Sequence, residues 1–183
     1  MILSCGEALI DMLPRRTEGG EDAFAPYPGG AVFNTAIALG RLGAPSGFLS
    51  GVSTDLFGQL LTAALAASGV DTAFLVRSAR PTTLAFVTLR DGQASYAFYD
   101  ENTAGRMIRP GDLPTLPETV EALFFGGISL MVEPGGATYQ ALMEREAGSG
   151  RVMMLDPNIR PSFIADEAAY RARIGRMIAL SDI

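Results

Sequence analysis

Short apolar runs alternate along the chain with longer segments whose apolar residues recur at helical spacing. The short runs predict strands in MILSCG, SGFLSGV, TAFLV, ALFFGGI and RVMMLDP. The helical patterns cover residues 30–42, 56–67, 137–146 and 167–180. Because strands and helices follow one another in this order, the pattern predicts an α/β fold with an open, mostly parallel sheet and helices on both faces.

Two segments break this alternation. LPRRTEGGEDAFAPYPG is long, polar and rich in glycine, whereas TTLAFVTLRDGQASYAFYDE alternates like a strand around Asp91-Gly92, a dipeptide typical of a type I′ hairpin turn. A hairpin that projects from an α/β body is typical of a lid, of an edge that pairs with a second chain, or of a plain edge hairpin. We expect lid segments at approximately residues 12–28 and 82–101.

The last stretch, RARIGRMIALSDI, has the pattern of an amphipathic helix followed by the first residues of another strand. A parallel sheet that stopped there would leave an apolar helix face and an unpaired strand edge exposed. We therefore expect residues 1–183 to be the N-terminal part of one α/β domain that is truncated on its C-terminal side.

Composition narrows the classes of protein. The chain has 183 residues, is 48% hydrophobic and 19% charged, and carries a net charge of −6, which is typical of a globular domain and argues against a basic nucleic-acid binder. No run approaches the ~18 apolar residues that a membrane span needs. The N-terminus has no basic leader and carries Glu7 and Asp11, so we expect a cytoplasmic protein without a membrane partner.

The missing residue types exclude several kinds of site. There is no histidine, which excludes Ser-His-Asp triads and HExxH zinc sites. All 14 basic residues are arginine and no GxGxxG occurs, so the usual P-loop and dinucleotide-binding motifs are absent. The single Cys5 excludes an internal disulfide and a cysteine-rich zinc site, and no metal ligand is predicted. Any phosphate would be held by arginine or by backbone amides.

The stretch YPGGAVFNTAIALGRLGA carries the first candidate chemistry. Gly29 and Gly30 precede a predicted helix, whose free N–H groups and positive dipole end would face a ligand bound at its N-terminus. Glycine has no side chain, so the ligand could approach the backbone closely. Asn34, one turn into the helix, can donate to and accept from adjacent hydroxyls. The pattern suits a small oxygen-rich ligand, and it also fits a tight turn with a capping asparagine.

A longer pattern is more specific. PGGAVFNTAIALGRLGAPSGFLSGVSTDLFG, together with CGEALIDMLP and LDPNIRPSF, resembles the N-terminal part of the PfkB, or ribokinase-like, family of sugar kinases. The resemblance covers essentially the whole chain. It implies a ribokinase-like α/β sheet with a small β lid.

The resemblance also implies roles for particular residues. Asp11 would accept hydrogen bonds from sugar hydroxyls, with Gly29, Gly30 and Asn34 completing that wall, although Asp11 by itself could be a plain surface turn residue. Phe98 matches the lid ring that covers the sugar, although by itself it could be core. In DPNIR, Asn158 and Arg160 match residues near the transferred phosphate, and Arg160 also lies near the sugar; a bidentate guanidinium suits that task.

The activity that the resemblance implies is transfer of the ATP γ-phosphoryl group to a primary hydroxyl of a ketose, with Mg²⁺. The family's general-base aspartate and its Mg²⁺-binding motif are expected beyond Ile183, so we predict no catalytic residue in this chain and little activity for the chain alone. The expected partners are a sugar, ATP and a second copy that pairs through the lid.

The choice of sugar rests on a finer resemblance. GEALIDMLP and DPNIRPSF are similar to fructokinases and 2-keto-3-deoxygluconate kinases. Ala85 and Asp100 stand where acid-sugar kinases carry a tyrosine and an arginine, and Asp100 would repel a substrate carboxylate. The interpretation is therefore a fructokinase-like enzyme. The alternatives are a 2-keto-3-deoxygluconate kinase, a non-catalytic sugar-binding or lid-dimerising fragment, and an α/β domain without a ligand.

Overall fold

The structure, a computed structural model, describes residues 1–90 and 93–183, so the predicted Asp91-Gly92 turn lies outside the described residues. The strands are β1 (Ile2–Cys5), β2 (Leu9–Arg16), β3 (Asp22–Gly29), β4 (Ser46–Leu49), β5 (Gly51–Ser53), β6 (Val70–Asp71), β7 (Val76–Ser78), β8 (Leu84–Arg90), β9 (Gln93–Tyr99), β10 (Ala122–Gly126) and β11 (Val152–Asp156). The α-helices are α1 (Ala31–Arg41), α2 (Leu56–Ala67), α3 (Gly135–Glu146) and α4 (Glu167–Ala179). Short 3₁₀ turns lie at Pro110–Asp112, Ile128–Leu130 and Pro161–Phe163.

The central sheet has the strand order β11-β10-β1-β4-β6, and every neighbouring pair is parallel. The chain builds outward from β1 to β4 and β6, and then crosses to the other side for β10 and β11. The strand order therefore reverses between β1 and β10. In open α/β sheets such a reversal opens a crevice at the carboxyl ends of the strands, where ligands bind.

Alternation along the strands buries both faces of this sheet. Leu3 and Phe125 belong to a core with residues of α3 and α4. Phe48 belongs to a second core with residues of α1 and α2, and Phe124 packs against it. The predicted parallel sheet with helices on both faces is confirmed. Within residues 1–90 and 93–183, no helix combines the length and apolar character needed to cross a membrane.

A second sheet, with the order β3-β2-β8-β9, stands beside the central one. β2 and β3 pair antiparallel, as do β8 and β9, and the two hairpins meet through the parallel pair β2 and β8. These four strands fall largely within the two segments for which the sequence predicts a lid, except that β2 already begins at Leu9. The polar first segment therefore forms an antiparallel hairpin of β2 and β3.

The predicted strand TAFLV, residues 72–76, differs from the structure. The chain forms the short β6 before this segment and β7 at its end, and β7 pairs with β5 in a separate two-stranded parallel sheet. The turn between them is closed by the Ala73 N–H, which donates to the Asp71 carboxylate at 2.9 Å. An aspartate that binds the backbone two residues further on favours a turn over a continuous strand.

The last residues run beside β11 without being assigned to a strand. The Asp182 and Ile183 N–H groups donate to the Met153 carbonyl at 2.8 and 3.2 Å, and the Leu155 N–H donates to the Ile183 carbonyl at 3.0 Å. The expectation of a strand start after α4 is thus met by hydrogen bonds along the edge of the central sheet.

Two carboxylates hold the base of the β8–β9 hairpin. Asp55 caps α2 by accepting from the Gly58 N–H at 2.7 Å, and it also accepts from the Thr82 N–H at 2.9 Å and the Thr82 hydroxyl at 2.7 Å. Asp100, at the end of β9, accepts from the Thr83 hydroxyl at 2.9 Å. Burial acts to raise the pKa of Asp55, but these hydrogen bonds outweigh it and hold that pKa below its usual value.

We predict that Asp55→Ala lowers the free energy of unfolding of the full-length protein by about 2 kcal/mol near neutral pH, because it removes a helix cap and the bonds to Thr82 together. The folded-state pKa is lowered, so this stabilisation is complete above the unfolded pKa of about 4 and is lost as the pH falls below it. Denaturant titration of wild type and variant at several pH values measures the difference.

Asp71→Ala is the matched control, because the Asp71 carboxylate accepts from the single N–H of Ala73. Its expected loss is smaller than that of Asp55→Ala. Equal losses for the two variants would contradict the role of Asp55 at the hairpin base.

Candidate functional site

A cavity of about 480 Å³ lies between the second sheet and the carboxyl ends of the central strands. The segments that follow β1, β10 and β11 all contribute to it, as the reversal of strand order predicts. It is lined by Glu7, Leu9, Asp11, Gly30, Ala31, Asn34, Tyr96, Phe98, Ile128, Asn158, Arg160 and Ser162. Of the residues that the sequence singled out for binding sugar and phosphate, all lie in this set except Gly29, whereas Ala85 and Asp100, singled out for the choice of sugar, do not.

Asp11 reaches the cavity from β2. Side chains alternate along a strand, so Leu9 and Asp11 share the face that lines the cavity. Partial burial raises the pKa of the Asp11 carboxyl above its usual value. A Cβ on Gly29, in the adjacent strand β3, would overlap the Asp11 carboxylate. Gly29 therefore contributes by leaving room for Asp11.

Gly30 and Asn34 lie at the start of α1. Gly30 is the N-cap with φ 110°, a conformation that favours glycine, and it provides no side-chain cap. A Cβ there would stand 2.9 Å from the Glu7 carbonyl oxygen. Asn34 follows one turn later, and its exposed side chain lines the cavity.

Phe98 projects from β9 on the same face of the second sheet as Asp11. Its ring packs edge-to-face on Phe163, with ring centroids 4.6 Å apart, and stacks on Tyr96 at 5.8 Å. It also packs against the small cluster of Leu9, Ala85 and Ile128. Phe98 is therefore half-buried, and it is both a packing residue and part of the cavity wall.

Asn158 and Arg160 follow β11. Asn158 adopts φ 40°, and its N–H donates to the Asp156 carboxylate at 3.1 Å. The Arg160 guanidinium donates to the Asn158 side-chain oxygen at 2.7 Å. The turn after β11 thus holds the guanidinium at the cavity wall, where it can meet an anionic group.

The main residue that the sequence analysis missed is Glu7. Its carboxylate is buried and accepts from the N–H groups of Ala31 at 2.9 Å, Val32 at 3.5 Å and Ser129 at 3.4 Å. Burial raises its pKa to about 7, and the backbone hydrogen bonds oppose that rise. Its place directly after a buried parallel strand was a usable signal, because ligand sites lie at that edge of the sheet.

Tyr96, Ile128 and Ser162 also line the cavity without having been predicted. Tyr96 stands two residues before Phe98, and the strand period alone could have placed it on the same face. Ile128 and Ser162 lie on the two 3₁₀ turns that follow β10 and β11. Such turns carry little sequence pattern, so their approach to the cavity depends on the tertiary fold.

Asp100 does not lie where the sugar-choice hypothesis needs it. Its Oδ1 accepts from the hydroxyls of Thr83 at 2.9 Å and Thr103 at 3.2 Å, and its Oδ2 lies 3.6 Å from the Arg106 guanidinium. It is buried, burial raises its pKa, and it is not part of the cavity lining. Asp100 therefore lies outside the cavity lining, and with Phe98 and Arg106 it lines a smaller adjoining cavity of about 290 Å³.

The arrangement suits a neutral polyol. It offers two carboxylates and an amide that can bind hydroxyl groups, aromatic side chains that can cover a ring, and one guanidinium that can bind phosphate. In the part of the chain that the structure describes, no group of three acidic, cysteine or histidine residues could hold a metal ion.

The chain is similar to a known protein family and to several known proteins. The model of the family described as "pfkB family carbohydrate kinase" matches residues 1–183. The chain is 61% identical to a fructokinase of Rhizobium leguminosarum bv. trifolii over 183 residues, which are 100% of this chain and 56% of that protein. It is 37% identical to a fructokinase of Solanum tuberosum, covering 100% of this chain and 58% of the other.

Among solved structures, the fructokinase of Xylella fastidiosa with bound ATP superposes with a TM-score of 0.87 at 30% identity, over 99% of this chain and 56% of that one. The chain thus spans a little over half the length of these relatives. Because the family model matches the chain from end to end, the chain belongs to the pfkB family of carbohydrate kinases.

Proposed function

We propose that the full-length protein is a fructokinase, which transfers the γ-phosphoryl group of ATP to a primary hydroxyl of fructose. One observation carries the proposal: a single cavity brings Asp11 and Asn34, which suit sugar hydroxyls, together with Arg160, which suits a phosphoryl group. The relatives reported above bear the name fructokinase, which supports the same conclusion.

In this proposal the lid strand β2 and the first turn of α1 bind the sugar. Asp11 accepts hydrogen bonds from hydroxyl groups, and Asn34 both donates and accepts. Gly30 lets a hydroxyl approach the N–H groups at the start of α1, where the helix dipole is positive. Phe98 covers the bound sugar and excludes water from it. Such positioning supplies much of the rate enhancement in phosphoryl transfer.

Asn158 and Arg160 form the phosphate side of the site. The guanidinium, held by Asn158, stabilises charge on the transferred group. ATP as the donor is supported by the Xylella fastidiosa fructokinase that was solved with bound ATP. The general base and the Mg²⁺ ligands are expected beyond Ile183, and the described residues offer no metal site of their own. A cytoplasmic location is part of the same proposal.

The charges of the cavity favour a neutral ketose over an acid sugar. Glu7 and Asp11 both line it, against the single guanidinium of Arg160. Above pH 7, where Glu7 is mostly ionised, a substrate carboxylate would meet more negative than positive charge, which disfavours binding. The second candidate, a 2-keto-3-deoxygluconate kinase, is favoured by Arg160 alone, because its guanidinium could bind the substrate carboxylate.

We also propose a homodimer that pairs through the lid sheet. The face of this sheet opposite Asp11 carries a chain of edge-to-face contacts from Phe24 to Phe86 at 5.0 Å and from Phe86 to Tyr99 at 5.5 Å. Phe24 is 44% exposed and Tyr99 is 63% exposed. Contiguous exposed aromatic residues of this kind are typical of protein interfaces.

We predict that the full-length enzyme releases ADP from ATP with fructose, and that its kcat/KM for fructose exceeds that for 2-keto-3-deoxygluconate at least tenfold. The reason is the net negative charge of the cavity wall. A coupled ADP assay with both sugars measures the ratio. Preference for the acid sugar would overturn the choice of fructose, and no turnover with any sugar would overturn the kinase proposal.

We predict that Asp11→Ala and Asn34→Ala each weaken sugar binding by about 1 to 3 kcal/mol, because each removes hydrogen bonds to hydroxyl groups. ATP affinity should change little, because neither residue lies on the phosphate side. Steady-state kinetics with either substrate varied measures both effects. Asp22→Ala is the control, since Asp22 is an exposed lid aspartate outside the cavity. Equal losses for sugar and ATP would contradict these roles.

For the dimer, we predict that Tyr99→Asp converts the full-length protein to monomers, because it places a charge in the aromatic face of the lid sheet. Tyr27→Asp is the matched control: Tyr27 is also exposed and lies on the same sheet, on the face that carries Asp11. Analytical ultracentrifugation distinguishes the outcomes. A wild type that is monomeric, or a Tyr99→Asp variant that stays dimeric, would show that this face is not the interface.

A further inference from the structure

Glu7 holds together three segments that line the cavity. It lies between β1 and β2, at the carboxyl end of the central strand, and its two oxygens reach in different directions. Oε1 accepts from Ala31 at the start of α1, and Oε2 accepts from Ser129 in the 3₁₀ turn after β10. Glu7 itself, Ala31 and Ile128 beside Ser129 all belong to the cavity wall.

The helix α1 depends on this carboxylate for a cap. Its own N-cap is Gly30, which has no side chain, and its first turn contains no acidic residue. The Ala31 and Val32 N–H groups are instead satisfied by Glu7, which is 24 residues from Ala31 along the chain. A cap supplied by the segment between β1 and β2 leaves the Gly30 position free of a side chain, open to a ligand.

The backbone on both sides is shaped to admit the carboxylate. Gly127 has φ 70°, and a Cβ there would overlap the Glu7 carboxylate. Gly30 has φ 110°, and a Cβ there would meet the Glu7 backbone at 2.9 Å. Both glycines therefore stand where any other residue would be strained and would crowd Glu7.

Among residues 1–90 and 93–183, no ion pair involves Glu7. The ionisable groups around it include Cys5 on β1, Tyr139 of α3, and Asp11 and Arg160, which line the same cavity. The Tyr139 hydroxyl donates to the Gly6 carbonyl and not to Glu7. Glu7 thus remains a buried carboxylate held by amide N–H groups, an arrangement that costs stability when the group is ionised.

We propose that Glu7 is a positioning residue of the sugar site: its ionised carboxylate joins the first turn of α1 to the turn after β10 and so sets the spacing of two walls of the cavity. The proposal rests on the proposed function, because it concerns the same cavity. Protonation turns one oxygen into a donor that faces an N–H group, and the link between the walls is then lost.

The test is calorimetric titration of the full-length protein with fructose and, separately, with ATP. Glu7→Gln keeps the shape of the side chain but places an NH₂ group opposite one of the backbone donors. We expect the fructose Kd to rise about tenfold at pH 8 while the ATP Kd stays within twofold. Glu7→Gln with an unchanged fructose Kd, or with equal losses for both ligands, would overturn the proposal.

Glu146→Gln is the matched control. Glu146 and Glu7 are both 8% exposed, but Glu146 binds Arg145 and Arg151 and does not line the cavity. We expect this variant to lower Tm and to leave the fructose Kd unchanged. A Glu146→Gln variant that weakens fructose binding as much as Glu7→Gln would show that any loosening of the fold has the same effect.

The pH dependence of fructose binding to the wild type is a second measurement, and it can be made even if the Glu7→Gln variant does not fold. The pKa of Glu7 is raised to about 7, so the fructose Kd should rise severalfold between pH 8 and pH 6, and Glu7→Gln should lack this rise. A flat wild-type profile would overturn the proposal. Fructose that fails to bind the wild type at any pH would instead refute the proposed function, so the two failures are distinguishable.

Discussion

The parallel pairing of β1 on both its edges is the constraint on which the rest of the structure depends. β1 pairs with β4 on one side and with β10 on the other, so both its edges are used and both its faces are buried. A strand in this position requires helices above and below, and the chain supplies them in two pairs. It also fixes the point where the strand order reverses, and thereby the place of the crevice.

Backbone N–H groups at the crevice need hydrogen-bond acceptors. The first turn of α1 and the turn after β10 both point N–H groups toward it, and buried donors without partners are costly. The structure solves this with one carboxylate that serves both turns, and glycines at positions 30 and 127 make room for it. The result is a cavity wall of backbone and small residues, which is open enough for a hydroxylated ligand.

The second sheet adds the remaining walls of the cavity. Because side chains alternate along its strands, its two faces carry different residues. One face presents Asp11 and Phe98 to the cavity, whereas the other presents an exposed aromatic row of Phe24, Phe86 and Tyr99. Thr82 donates to Asp55 and so ties the base of this sheet to α2, and Thr83 donates to Asp100 within the hairpin base. One oxygen of Asp100 thus holds the hairpin, although from the sequence alone the carboxylate looked free to meet a ligand.

The sequence by itself determined the α/β architecture, the segments of the second sheet and candidate binding residues such as Gly30, Asn34 and Arg160, because periodicity and motif residues are local features. Only the tertiary structure decided that Gly29 serves Asp11, that Asp100 binds Thr83 at the hairpin base, and that Glu7 joins two of the cavity walls. Glu7 and Ser129 are 122 residues apart in the chain. Their hydrogen bond exists because parallel pairing places the ends of β1 and β10 side by side, and no local pattern records which distant donor a carboxylate will meet.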